Sequence, residues 1–196
     1  MQTPDLVPII PELVLLVTAC AALLVEPFLK SDGSGRTDRT ALIAITLTGL
    51  IGSVAVSLGL SGEDRESFAG MLVLDDWAVF FNVLFGIGAI LTVLMSPGYL
   101  EAHRRHLGEY YALLLFAVIG MDLMAAARDF ILLYVAIELM AISSYLLAAF
   151  FRYRIRSNEA SLKYFLTGSF ASAILLYGVS LVYGQAGATN YSATGR

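Results

Sequence analysis

Six long apolar runs, each bounded by polar clusters, constrain this chain more than anything else in its sequence. They fall at Pro11 to Leu29, Thr40 to Leu60, Trp77 to Ser96, Tyr110 to Ala127, Phe130 to Phe151 and Ala160 to Gly184. Each approaches or exceeds the roughly 20 residues with which a helix crosses a bilayer. Hydrocarbon offers the backbone no water to bond, so a run that spans it must be helical. The expected fold is therefore all-α and integral to the membrane, a single polytopic domain over residues 1–196 with about six transmembrane helices. Composition agrees: 58% of residues are hydrophobic and 14% charged, against about 25% charged in soluble domains.

Only Arg128 and Asp129 separate the fourth run from the fifth. Read as one helix the two would measure about 60 Å, twice the hydrocarbon thickness, so they must fold as a tight hairpin. Asp75 or Asp76 is placed to cap the third span, and Asp129 the fifth, by accepting from free amides of the first turn. Basic residues collect on the cytoplasmic side of a bacterial-type membrane. Connections one, three and five hold Lys30, Arg36, Arg39, Arg104, Arg105, Arg152, Arg154 and Arg156, whereas the opposite side holds only Arg65, Arg128 and Arg196. Both termini are thus expected on the outer, periplasmic side of a bacterial inner membrane. The amino terminus lacks the basic n-region of a signal peptide, so the first span is expected to stay uncleaved.

Several functions are disfavoured by the same inventory. A net charge of -4 argues against nucleic acid, whose binding needs clustered lysine and arginine. Cys20 is the single cysteine and cannot supply the four thiolates of an iron-sulfur cluster, so no redox cofactor is expected in this chain. His103 and His106 lie three apart in a polar connection without a third metal ligand nearby. The segment Ser31 to Gly35 reads as a flexible connection. Gly49, Ser53 and Ser57, and likewise Gly168 and Ser172, follow a small-xxx-small spacing that ordinary close helix packing explains.

An ionisable side chain near the middle of a span costs about 2.5 to 3.5 kcal/mol on insertion scales and calls for a partner, water or a function. Glu138 is the sharpest case, roughly 14 Å inward from the Arg128 turn. Tyr134 and Tyr145 fall on its face of the fifth helix, a stripe of hydroxyl, carboxylate and hydroxyl. Lys163 lies about 8 to 10 Å inside the sixth span, either snorkelling to the surface or buried as a lysine that takes and releases protons. Its depth differs from that of Glu138 by about 10 to 12 Å, which points to a relay instead of a direct ion pair. Asp122 either meets Glu138 across the hairpin and tunes it, or reaches Arg128 and is inert. Glu12, directly after Pro11, is expected to meet the helix dipole in the first turn, as capping residues do.

With these residues in hand, a family likeness stands out. The stretch GEYYALLLFAVIGMDLMAAARDFILLYVAIELMAISSYLLAAF carries the tight hairpin and the pair Glu138 and Leu139. The stretch SNEASLKYFLTGSFASAILLYGVSLVYG carries Ser157, Asn158, Glu159, Ala160, Leu162, Lys163, Tyr164 and Phe165 in the family's order. Together they resemble subunit N of bacterial NADH-quinone oxidoreductase (complex I), a relative of the antiporter-like subunits and of Mrp-type sodium/proton antiporters. LDDWAVFF and MSPGYLE extend the likeness upstream.

The resemblance implies a proton-translocating membrane-arm subunit whose electrons pass through other chains. It implies no cofactor here, partners among the other membrane-arm subunits, and roles for Glu138 and Lys163 in proton transfer. Family members have fourteen helices, with a central lysine on a broken seventh, so the chain reads as an amino-terminal fragment. Asp122 departs from the family, which usually has an apolar residue there. Two other readings stay open: a small cation/proton antiporter, and a structural membrane subunit whose charges only fix helix packing.

Overall fold

The computed structural model describes residues 5–28, 37–102 and 108–194, with the side chains of 37–39 and 101–102 outside that description. His103, His106 and the connection from Ser31 to Gly35 lie outside it, as do several of the basic residues on which the orientation rests. Among the described residues, six helices are long and apolar enough to cross a membrane: α1 (Ile10–Val25), α2 (Thr37–Gly59), α3 (Asp76–Ala102), α4 (Gly108–Ala126), α5 (Phe130–Ala148) and α6 (Ile155–Ala186). A short α7 (Tyr191–Thr194) follows. Helix α3 does not stop at Ser96 as expected but runs through Pro97. Helix α6 starts five residues before the expected Ala160, because its first turn is helical yet too polar to register as apolar.

Helices α1 to α4 form an antiparallel bundle around Leu15, Leu50, Val93, Tyr111 and Leu115. Small residues bring the backbones together. Gly49 faces the side chain of Thr18, and Gly86 faces Val54. Ser53 donates to the Pro11 carbonyl at 3.1 Å. Helix α5 packs on α4, and α6 packs on α5. None of the residues of α6 is buried, and its outer side presents Phe170, Ile174, Tyr177 and Leu181 to the surroundings.

A β-hairpin not expected from the apolar pattern joins α2 to α3. Strands β1 (Arg65–Ser67) and β2 (Leu72–Leu74) pair antiparallel, Arg65 opposite Leu74. Their turn uses left-handed backbone at Phe68 and Ala69 as well as Gly70. This hairpin covers the end of the bundle at which α4 meets α5, and Leu72 and Leu74 bury themselves on Ala78, Val79 and Ala126. The α4–α5 turn is extended and tied from both sides. Arg128 N–H donates to the Met71 carbonyl at 2.8 Å, while Phe130 N–H donates to Thr189 and Tyr191 N–H to Arg128, each at 3.0 Å. The expected caps are present: Asp129 accepts from Ile131 N–H at 2.8 Å and Leu132 N–H at 3.4 Å, and Asp75 from Ala78 N–H at 2.8 Å.

Candidate functional site

Glu138 stands on α5 about 12 Å beyond its first residue, half-buried and turned toward α6. The Ser172 hydroxyl of α6 donates to its Oε1. Seven residues on, Tyr145 is buried, with its hydroxyl against Gly168 and its ring at 4.7 Å from Tyr164 and 5.8 Å from Phe165. The Gly168 and Ser172 pair thus does more than allow close approach. Gly168 leaves space for the Tyr145 hydroxyl, and Ser172 supplies the hydrogen bond to the carboxylate. The four-residue spacing places both residues on one face but does not show which side chains of α5 they meet.

Glu138 is held at this place by the α4–α5 contact. A Cβ on Gly120 of α4 would lie 2.7 Å from the Met140 nitrogen and 2.8 Å from the Ala136 oxygen. Gly120 is therefore level with Glu138, and only a glycine lets the two backbones approach this closely.

Lys163 is placed apart from Glu138. Its ammonium donates to Glu159 at 2.5 Å, one turn back on α6, and the two side chains are 74% and 58% exposed. Lys163 thus sits on the α6 surface that no described helix covers. From Lys163 to Ser172, where Glu138 bonds, is about 13 Å along the helix, so the two charges do not pair.

Asp122 satisfies neither of its expected alternatives. It lies only about 3 Å in depth from Gly120, but two residues of helical rotation turn it about 200° away from α5. It is 1% exposed, and the carboxyl that approaches it is Glu12 of α1. Arg128 is engaged elsewhere, donating to Asp75 at 2.7 Å. Glu12 is also corrected. It occupies the first turn of α1 as expected, yet it is 3% exposed. Its own backbone amide lies nearby, but neither carboxyl oxygen completes a hydrogen bond. Its burial depends on the neighbouring helices and is invisible in its own helix. Among the described residues, no three His, Cys, Asp or Glu side chains come together as a metal site.

Comparison with known proteins gives this arrangement a family. Residues 127–195, which contain Glu138, Lys163 and Ser172, match the transmembrane family described as NADH:quinone oxidoreductase/Mrp antiporter. The NADH-quinone oxidoreductase subunit N of Trichlorobacter lovleyi is 42% identical over 96% of this chain and 38% of its own length. Subunit N 2 of Rhizobium meliloti is 42% identical over 92% of this chain and 36% of its own. Among solved structures, a chain of respiratory complex I from Thermus thermophilus aligns with a TM-score of 0.74 at 31% identity, covering 92% of this chain and 38% of that one. The chain spans about two fifths of the length of the curated relatives it matches. By sequence across nearly its whole length and by fold, this chain belongs to the family of membrane subunits typified by subunit N of NADH-quinone oxidoreductase.

Proposed function

We propose that this chain is part of a proton-translocating membrane-arm subunit of an NADH-quinone oxidoreductase in the bacterial cell membrane, and that Glu138 is a group through which the proton passes. The observation that carries this reading is a half-buried carboxylate well inside α5, bonded to Ser172 of the next helix and with no salt bridge among the described residues. A carboxyl group so placed is costly to keep for packing alone. Electron transfer from NADH to quinone belongs to other chains of the complex, and proton movement here follows from it. Lys163 acts as a second proton-exchanging group about 13 Å away along α6, connected to Glu138 through an intermediate carrier. The apolar outer side of α6 suits further helices of the same membrane arm.

Replacing Glu138 by glutamine in the assembled complex tests this reading. The expected result is normal assembly with NADH-driven proton pumping reduced severalfold. Pumping at the wild-type rate in a fully assembled complex would overturn it. The Mrp half of the family description supports a second reading, cation/proton antiport. Cation-driven proton flux by the purified chain in liposomes, without NADH, would favour that reading over the first.

A further inference from the structure

A second set of polar groups lies inside the α1–α4 bundle, on the opposite side of α4 from Glu138. Glu12 and Asp122 are 3% and 1% exposed. Both Glu12 oxygens and Asp122 Oδ1 are buried without a hydrogen-bond partner, as are the side-chain amide of Asn82 and the hydroxyl of Ser57. Buried polar groups are rarely left unbonded, so four on four adjoining helices call for an explanation.

Helix register places the four together. A Cβ on Gly108 would lie 2.9 Å from the Ala22 oxygen, which aligns these positions of α4 and α1. From there Asp122 is about 21 Å along α4 and Glu12 about 15 Å along α1, an offset of about 6 Å. Side chains lean toward the amino end of their own helix. In antiparallel helices this tilts Glu12 and Asp122 toward each other. Ser53 bonds the Pro11 carbonyl, and Gly86 touches Val54. Ser57 and Asn82, one turn farther toward the β-hairpin, therefore lie at about the depth of Asp122.

Among the described residues, no cation answers this pair. Helix α2 has no ionisable residue from Thr40 to Gly59. In β1, Arg65 engages Asp5 and Glu63, and Arg128 engages Asp75. Asp76 on α3 accepts from Gly62 N–H, and Asp129 caps α5. Glu138 and Tyr145 of α5 face α6, and Tyr134 is one turn from Glu138. Glu26, just beyond the end of α1, and Glu109, Tyr110 and Tyr111, in the first turn of α4, lie at the far end of the bundle. A metal ion needs a shell of oxygens, and no third His, Cys, Asp or Glu among the described residues completes one. A proton needs a single oxygen, and it removes the charge that burial penalises.

We propose that Glu12 and Asp122 form a proton-binding carboxyl pair within the α1–α4 bundle, with Asn82 and Ser57 supplying hydrogen-bonding groups at the same depth. This site is independent of the role given to Glu138. Infrared spectra of the full chain in lipid nanodiscs at neutral pH test it. The wild type is expected to show a protonated-carboxyl C=O band that shifts in deuterium oxide. Glu12→Gln and Asp122→Asn should each keep one altered band, and the double variant should lose it. Glu138→Gln should retain the pair's band, which separates this site from the reading of Glu138. Identical carboxyl-region spectra for wild type and the double variant would overturn the proposal. So would a wild-type band that disappears when sodium chloride replaces choline chloride, because a metal cation would then be the ligand. Failure of both single variants to fold counts against it equally, since each puts a neutral amide where the proposal has a neutral acid.

Discussion

Ser172 of α6 donates its hydroxyl to Glu138 Oε1 of α5. Ser172→Ala removes the donor without filling space, at a cost of about 1 kcal/mol. The expected outcome is reduced proton pumping by a normally assembled complex, with pumping restored in Ser172→Thr, which keeps a hydroxyl. Equal pumping by the alanine and threonine variants would show that the bond does not matter to transport.

Gly120→Ala should be far more damaging than its size implies. The added methyl would meet the Met140 nitrogen and the Ala136 oxygen, both backbone atoms that cannot rotate aside. Overpacking of this kind typically costs about 1 to 3 kcal/mol. At Gly168 the obstacle is the Tyr145 hydroxyl, the end of a side chain. Thermal unfolding in detergent should therefore rank Gly120→Ala below Gly168→Ala, and the reverse order would contradict the helix contact described.

Asp129 caps α5 and also accepts from the Thr189 hydroxyl at 2.6 Å. Asp129→Ala loses both and should destabilise by about 1 to 2 kcal/mol, as N-cap removal does. Asp129→Asn keeps an acceptor and should cost less. Protease sensitivity of the α4–α5 turn would report the difference. Arg128→Gln removes only an exposed ion pair and is expected to cost less than about 1 kcal/mol.

Tyr191, beyond the end of α6, carries a phenol pushed above its ordinary range, first by burial and then by the charge of Asp129, with Arg128 acting in the opposite sense. A raised value in the folded state means that the neutral phenol is favoured by the fold. Its stabilising contribution is full below the ordinary value of about 10 and is lost as pH rises through the folded value. Phenolate absorbance, taken as wild type minus Tyr191→Phe, should titrate above free tyrosine and move down in Asp129→Asn. Titration at or below free tyrosine would contradict the placement.

Lys163→Met should leave stability almost unchanged, because exposed pairs one helical turn apart contribute only about 0.3 to 0.5 kcal/mol. A fall in pumping in that variant, at unchanged thermal stability, would assign Lys163 a transport role; unchanged pumping would reduce it to a surface residue.

The helices were legible in the sequence because hydropathy reports burial in lipid directly, and the α4–α5 hairpin because a single helix of that length could not fit. Glu138 was legible for the same reason: its cost is set by depth along its own helix. What depends on a second helix was not. Glu12 was placed correctly in its first turn, but only the arrival of α4 decides whether that turn meets solvent or Asp122. The same holds for Ser172, whose spacing marks a face but not its partner. Strands β1 and β2, at three residues each, are too short to impose a period of two on the sequence. They form because the loop closes over Ala126 and Ala127.

Helix α6 is fastened near both ends. Ser157 and Ser161 donate to the Ala148 and Tyr145 carbonyls at 2.6 and 2.9 Å, and beyond its other end Thr189 and Asn190 clasp Asp129 and Gly70. Fixed at two points, it behaves as a strut and resists sliding like a piston. Rearrangement around it then falls to side chains such as Ser172, while the rod itself stays in place.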